Sequence, residues 1–123
     1  IMAEPTDTPQ TNEISIDQFT ALDIRVATVK DASLIEGADR LLRLVLDVGD
    51  PEAGGLGERI VASGIRQWYA PEDLIGTQVV YLANLAPRML RGVESQGMIL
   101  AGGESEAVLL QPAKPVPAGT IIH

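Results

Sequence analysis

The chain has 123 residues, enough for one hydrophobic core and too few for two. Hydrophobic residues make up 46% and charged residues 21%, as in an ordinary water-soluble globular chain, and no apolar run approaches the ~20 residues of a membrane span. Nine bases against seventeen acids leave a net charge of −8, and the lack of cysteine excludes disulfides and thiolate metal sites.

The chain opens on Ile1, and residues 3–12 (AEPTDTPQTN) are polar, rich in Pro and Thr, and without hydrophobic period. Residues 1–13 are therefore expected to be a linker or appended tail, with one domain over 14–123, a terminal module of something longer. No basic flank precedes an apolar stretch, so no secretory signal is read and a cytoplasmic location is expected.

Ser15-Ile16-Asp17-Gln18 has the form of a capping box, and Ile16, Phe19 and Leu22 follow at helical spacing, which predicts a short amphipathic helix. From Asp23 the period becomes two: Ile24, Val26, Thr28 and Lys30 alternate with Arg25, Ala27 and Val29, a β-branched strand. Glu36-Gly37-Ala38-Asp39 reads as a turn before a second strand at 41–48. The Gly-rich residues 49–57 (GDPEAGGLG) predict a flexible loop, and 58–62 a third strand ended by Ser63-Gly64. Pro71-Glu72-Asp73-Leu74 starts one helical turn, with proline and acids where a first turn favours them. Further strands are expected at 77–83, 97–101 and 107–110, before a proline-punctuated tail. Five strands with a helix between the third and fourth predict an all-β fold: a five-stranded OB-fold barrel, with an N-terminal short helix and a C-terminal β extension.

The lone histidine is the last residue, His123, so no His-based triad or metal site can be built, and the scattered carboxylates show no catalytic or metal-binding spacing. No catalytic residue, metal or cofactor is expected. The informative segment is 83–100 (ANLAPRMLRGVESQGMIL), which follows neither helical nor strand period because Pro87 and Gly92 interrupt both. Arg88, Arg91, Ser95 and Gln96 are polar donors set among apolar Leu90, Val93 and Met98. That composition fits a loop pinned to a barrel and presenting donors to an RNA backbone. It fits equally an ordinary loop with solvated arginines, in which Asn84 and Ser95 serve turns and Met98 sits in the core. Trp68 and Tyr69 read as a buried anchor rather than a stacking platform.

Charge and aromatic content narrow the partner. In the window 59–98, Arg59, Arg66, Arg88 and Arg91 outnumber Glu72, Asp73 and Glu94 by one, while the rest of the chain carries −9. Such a chain attracts polyanions weakly in bulk and has to recognise one by shape and placement. The aromatic residues are only Phe19, Trp68, Tyr69 and Tyr81, too few for the exposed ring platform of a single-strand binder, so a folded RNA read by its backbone fits better.

Six stretches stand out in order along the chain: Asp17-Gln18-Phe19 with Leu22-Asp23-Ile24-Arg25-Val26, Ala38-Asp39-Arg40-Leu41-Leu42, Ser63-Gly64-Ile65 and Tyr69-Ala70-Pro71-Glu72-Asp73-Leu74-Ile75-Gly76, then Asn84-Leu85-Ala86-Pro87-Arg88 and Arg91-Gly92-Val93-Glu94-Ser95-Gln96-Gly97-Met98. Together they are similar to the tRNA-binding domain family found at the C-terminus of bacterial methionyl-tRNA synthetases, in stand-alone tRNA-binding proteins and in the endothelial-monocyte-activating polypeptide module. The resemblance implies a non-catalytic module that binds the outer corner of tRNA with little regard to anticodon, and a homodimer formed through the N-terminal helix region and the C-terminal extension. It places Asn84, Arg88, Arg91, Ser95 and Met98 in the RNA-contacting motif. Met89 stands where the family often has lysine, which removes a phosphate partner, and the 50–57 loop is longer than usual. The competing expectations are a dimeric peptide-binding chaperone of the CsaA type and a dimerisation domain that has lost RNA binding.

Overall fold

The computed structural model describes residues 12–123, so the tail expected at 1–13 lies outside the described residues apart from its last two. The capping box forms as written: Ser15 Oγ accepts the Gln18 N–H at 3.2 Å, and Gln18 Oε1 accepts the Ser15 N–H at 2.8 Å. It starts helix α1 (Ile16–Thr20), none of whose residues is buried.

Strand β1 (Ile24–Ile35) turns at Glu36-Gly37 into β2 (Ala38–Asp47), followed by β3 (Glu58–Ser63), helix α2 (Pro71–Leu74) and β4 (Gln78–Leu82). β3 runs one residue past its expected end, and β1 and β2 exceed their expected bounds by more. A bulge between Val29 and Asp31 shifts the register of β1, so the alternation that fades at Lys30 resumes in opposite phase with Ala32 buried. β2 starts at Ala38, which pairs with Ile35, so the turn is shorter than the four residues expected.

The loop at 49–57 is also corrected. It is a closed hydrogen-bonded turn built on a 3-10 segment (Pro51–Ala53), with Asp50 Oδ1 capping Glu52 N–H at 2.9 Å and the Asp50 carbonyl accepting from Ala53 and Gly55. Its glycines serve close packing: a Cβ on Gly55 would lie 2.5 Å from the Gly49 carbonyl oxygen.

The main sheet is antiparallel with order β3-β2-β1-β4-β7, where β7 is Met98–Ile99. Its two edges meet where the Gln96 N–H donates to the Ile60 carbonyl at 2.8 Å and Gln96 Oε1 accepts the Ile60 N–H at 2.9 Å. The sheet thus curls into the expected barrel, with α2 between the third and fourth strands. Leu42, Leu44 and Leu46 point inward from β2 and are fully buried with Val29, Val61, Val79 and Tyr81.

The C-terminal extension pairs β8 (Ala101–Gly102) with β9 (Val108–Leu109) and then runs as a strap along the start of β1. The Val26 N–H donates to Thr120 O at 2.9 Å and the Ile122 N–H to Ile24 O at 2.8 Å. Gln78 clasps that strap, its amide donating to Val116 O at 2.7 Å and accepting the Val116 N–H at 3.1 Å. Among the described residues no helix is long and apolar enough to cross a membrane.

Candidate functional site

The segment expected to be an irregular loop contains a β-hairpin. β5 (Arg88–Leu90) and β6 (Val93–Ser95) pair Arg88 with Ser95, Met89 with Glu94 and Leu90 with Val93. The two-residue turn is Arg91-Gly92, with φ of 51° and 83°. Positive φ at both central positions is the signature of the turn whose twist matches paired strands. Pro87 and Gly92, which break the period in the sequence, mark the entry and the tip of this hairpin.

Its two faces differ. Leu90 and Val93 pack on a small apolar cluster of Ile35, Ala38, Ala62 and Leu41, separate from the barrel core. Met89, 65% exposed, and Glu94 lie opposite each other on the outer face, which therefore presents no cation. The base of the hairpin is stitched to β3 by side chains in place of a strand ladder. Ser95 Oγ accepts the Ala62 N–H at 3.1 Å and donates to Gly97 O at 3.1 Å, and Gln96 does the same work at Ile60.

Gly97 holds the exit from the hairpin. Its φ is 92°, and a Cβ there would lie 2.3 Å from Leu82 O and about 3 Å from the Tyr81 ring. Beside it the Tyr81 hydroxyl donates to Gln96 O, and burial pushes that phenol above its ordinary pKa against the opposing pull of Arg59.

The five expected contact residues fall into two groups. Arg88, Arg91 and Met98 reach the surface, and Arg88 and Met98 border one cleft floored by Ala62, Ser95 and Gly97. Met98 is 43% exposed, so the core placement that its apolar character suggested is corrected: β7 is an edge strand there and its outward position faces the cleft. Ser95 is 5% exposed and its hydroxyl proton is engaged within the protein. The Asn84 amide is likewise engaged, accepting the Asp23 N–H at 2.9 Å and donating to Ala21 O at 2.7 Å across the α1–β1 junction. Asn84 and Ser95 thus fix the two ends of the segment that carries the arginines. The expected aromatic anchor divides: the Tyr69 hydroxyl accepts the Leu109 N–H at 3.1 Å against the core, whereas Trp68 is left partly exposed.

Three other cations are occupied. Arg25 bonds to Asp23 and to the Gly54 carbonyl, Lys30 pairs with Glu58, and Arg66 donates to Ala38 O at 2.9 Å. The side chains of Arg88 and Arg91 have no hydrogen bond or ion pair among the described residues. Within those residues no group of three or more His, Asp or Glu is placed to hold a metal ion. The arrangement offers guanidinium groups without a side-chain partner among the described residues, on a hairpin packed against the barrel, which suits anion contact.

Comparison with known proteins gives a consistent result. Residues 24–121 match the family model described as "Putative tRNA binding domain". A methionine–tRNA ligase of Methanothrix thermoacetophila is 50% identical over 107 residues, which is 86% of this chain and 15% of the ligase. The chain thus spans about a seventh of the length of such relatives. Among solved structures, a MetRS related protein from Pyrococcus horikoshii superposes with a TM-score of 0.82 at 29% identity, covering 92% of this chain and 100% of that one. The chaperone CsaA of Bacillus anthracis superposes with a TM-score of 0.79 at 34% identity, covering 90% and 99%.

Proposed function

Because the chain belongs to the tRNA-binding domain family, we propose that it is a non-catalytic module that grips the folded body of tRNA through the β5–β6 hairpin and its flanks. Arg88 and Arg91 neutralise phosphates, Met98 packs against the RNA beside Arg88, and Asn84 and Ser95 hold the hairpin at the angle that aims them. The observation that carries the reading is the pair of arginine side chains without a partner among the described residues, on a hairpin pinned by Leu90 and Val93, in a chain otherwise strongly acidic.

In a longer protein resembling the methionine–tRNA ligases, such a module would raise the effective concentration of tRNA near a distant catalytic domain without adding chemistry. The module itself is a homodimer in this reading, and the cell compartment is the cytoplasm. Ile16 is 72% exposed on a helix with no fully buried residue, and Ile14, Leu22 and Ile121 are exposed near the same end of β1. A second copy covering these residues accounts for an apolar stripe in water.

The test is tRNA binding by the Arg91→Ala variant. Affinity for several tRNAs falls by a similar factor, and the salt dependence of binding becomes shallower by roughly one unit, as expected when one phosphate contact is lost. Unchanged affinity and slope would remove Arg91 from the surface. The likeness to CsaA keeps one rival reading, a peptide-binding chaperone. Competition between tRNA and an unfolded peptide separates the two, since a peptide held in an apolar groove stays bound at salt that strips tRNA.

A further inference from the structure

The hairpin is bordered by three clefts rather than one. Arg88 stands in the first, along β5. A second, at the tip, is lined by Gly37, Ala38, Asp39, Arg40, Leu41 and Arg91, so Arg40 of β2 and Arg91 face one depression. A third, along β6, is lined by Arg43, Ile60, Gly92, Val93, Glu94 and Gln96. The guanidinium groups of Arg40 and Arg43, like those of Arg88 and Arg91, have no hydrogen bond or ion pair among the described residues. Each cleft around the hairpin therefore carries at least one guanidinium group with no partner among the described residues, and two of the four come from β2, some fifty residues earlier in the chain.

We propose that Arg40 and Arg43 are phosphate-contacting residues of the same tRNA-binding surface, which wraps around both sides of the hairpin tip; this rests on the tRNA-binding reading above. The outer face of the hairpin offers only Met89 and Glu94, so a phosphate backbone has no reason to lie across it. Cations lie on the flanks instead, and an RNA that straddles the tip meets Arg88 on one side and Arg43 on the other, with Arg40 and Arg91 between. Asp39 and Glu94 line the same clefts and oppose the field. They limit non-specific attraction, so that binding requires phosphates placed against the guanidinium groups.

The experiment is a salt titration of tRNA binding with Arg40→Ala, Arg43→Gln, Asp39→Asn and Glu94→Gln, and Lys114→Ala as a control from a separate cleft beside Thr28 and Gln78. Gln at position 43 keeps the aliphatic packing of a partly buried side chain. Loss of either arginine weakens tRNA several-fold at moderate salt and lowers the log–log salt slope by about one unit, and the double variant lowers it by about two. The Asp39 and Glu94 variants bind tighter, and Lys114→Ala binds as the parent does. If Arg91→Ala weakens binding while Arg40→Ala and Arg43→Gln leave affinity and slope unchanged, the extended surface is wrong and the hairpin reading stands. If the parent chain binds no tRNA, both are overturned. The two acid variants report even if an arginine variant fails to fold, because unchanged affinity in both contradicts the proposed field.

Discussion

Arg91 shows most directly how a single residue divides stability from function. It is the one non-glycine residue with positive φ among those described, at a hairpin position where Asn or Asp before Gly is the favoured pair. An arginine there carries backbone strain, and strain at an exposed tip is kept for what the side chain does. Arg91→Asn is expected to stabilise the fold by up to about 1 kcal/mol while weakening tRNA binding. Urea unfolding and mobility shift on the same preparation check the two signs together, and a variant that is both less stable and equally tight would refute the division. Ser95 illustrates the opposite case. Its loss in Ser95→Ala leaves the Ala62 N–H without an acceptor in a buried site, at a cost of about 1–3 kcal/mol. Its hydroxyl already serves the protein, so the variant should keep the salt slope of the parent even where affinity drops through a looser hairpin. A slope lowered by a full unit would mean that Ser95 acts through charge placement after all.

At the scale of elements, the barrel is legible in the sequence and the site is less so. The capping box, the inward leucines of β2 and the Pro71 turn each carry a local signal strong enough to survive tertiary packing. The hairpin does not, because its strands are three residues long and a two-residue turn with arginine departs from the usual Asn-Gly pattern. The continuation of β1 is hidden by a bulge, which reverses the phase that period-two reading depends on. The motif residues were all identifiable, but the engagement of Asn84 and Ser95 with backbone groups depends on partners 61 and 33 residues away, a separation that no local pattern encodes. Arg40 sits in a recognisable stretch yet gains meaning only when the hairpin tip is folded beside it. Helix α1 is the element whose face the barrel does not cover. Ile16→Glu places a charge in the stripe without touching the core, so sedimentation should show a dimer for the parent and a monomer for the variant, with unfolding of the monomer otherwise little changed. A monomeric parent would remove the dimer.

At the scale of the molecule, a chain of net charge −8 that binds RNA has to do so by position. An acidic body repels a phosphate backbone at distance, and a small set of free arginines around a fixed hairpin rewards only RNA whose phosphates arrive in matching places. The proposed recognition of a folded tRNA fits that geometry, because an unstructured strand cannot hold its phosphates in register and the described residues present no row of exposed rings to stack its bases. The most direct measurement is tRNA binding by this chain from roughly 50 to 200 mM salt, with unstructured single-stranded RNA of equal length alongside. The account predicts salt-sensitive binding of several tRNAs with similar affinity and much weaker binding of the single strand. Equal binding of both RNAs, or no binding of tRNA at the lowest salt, would contradict it.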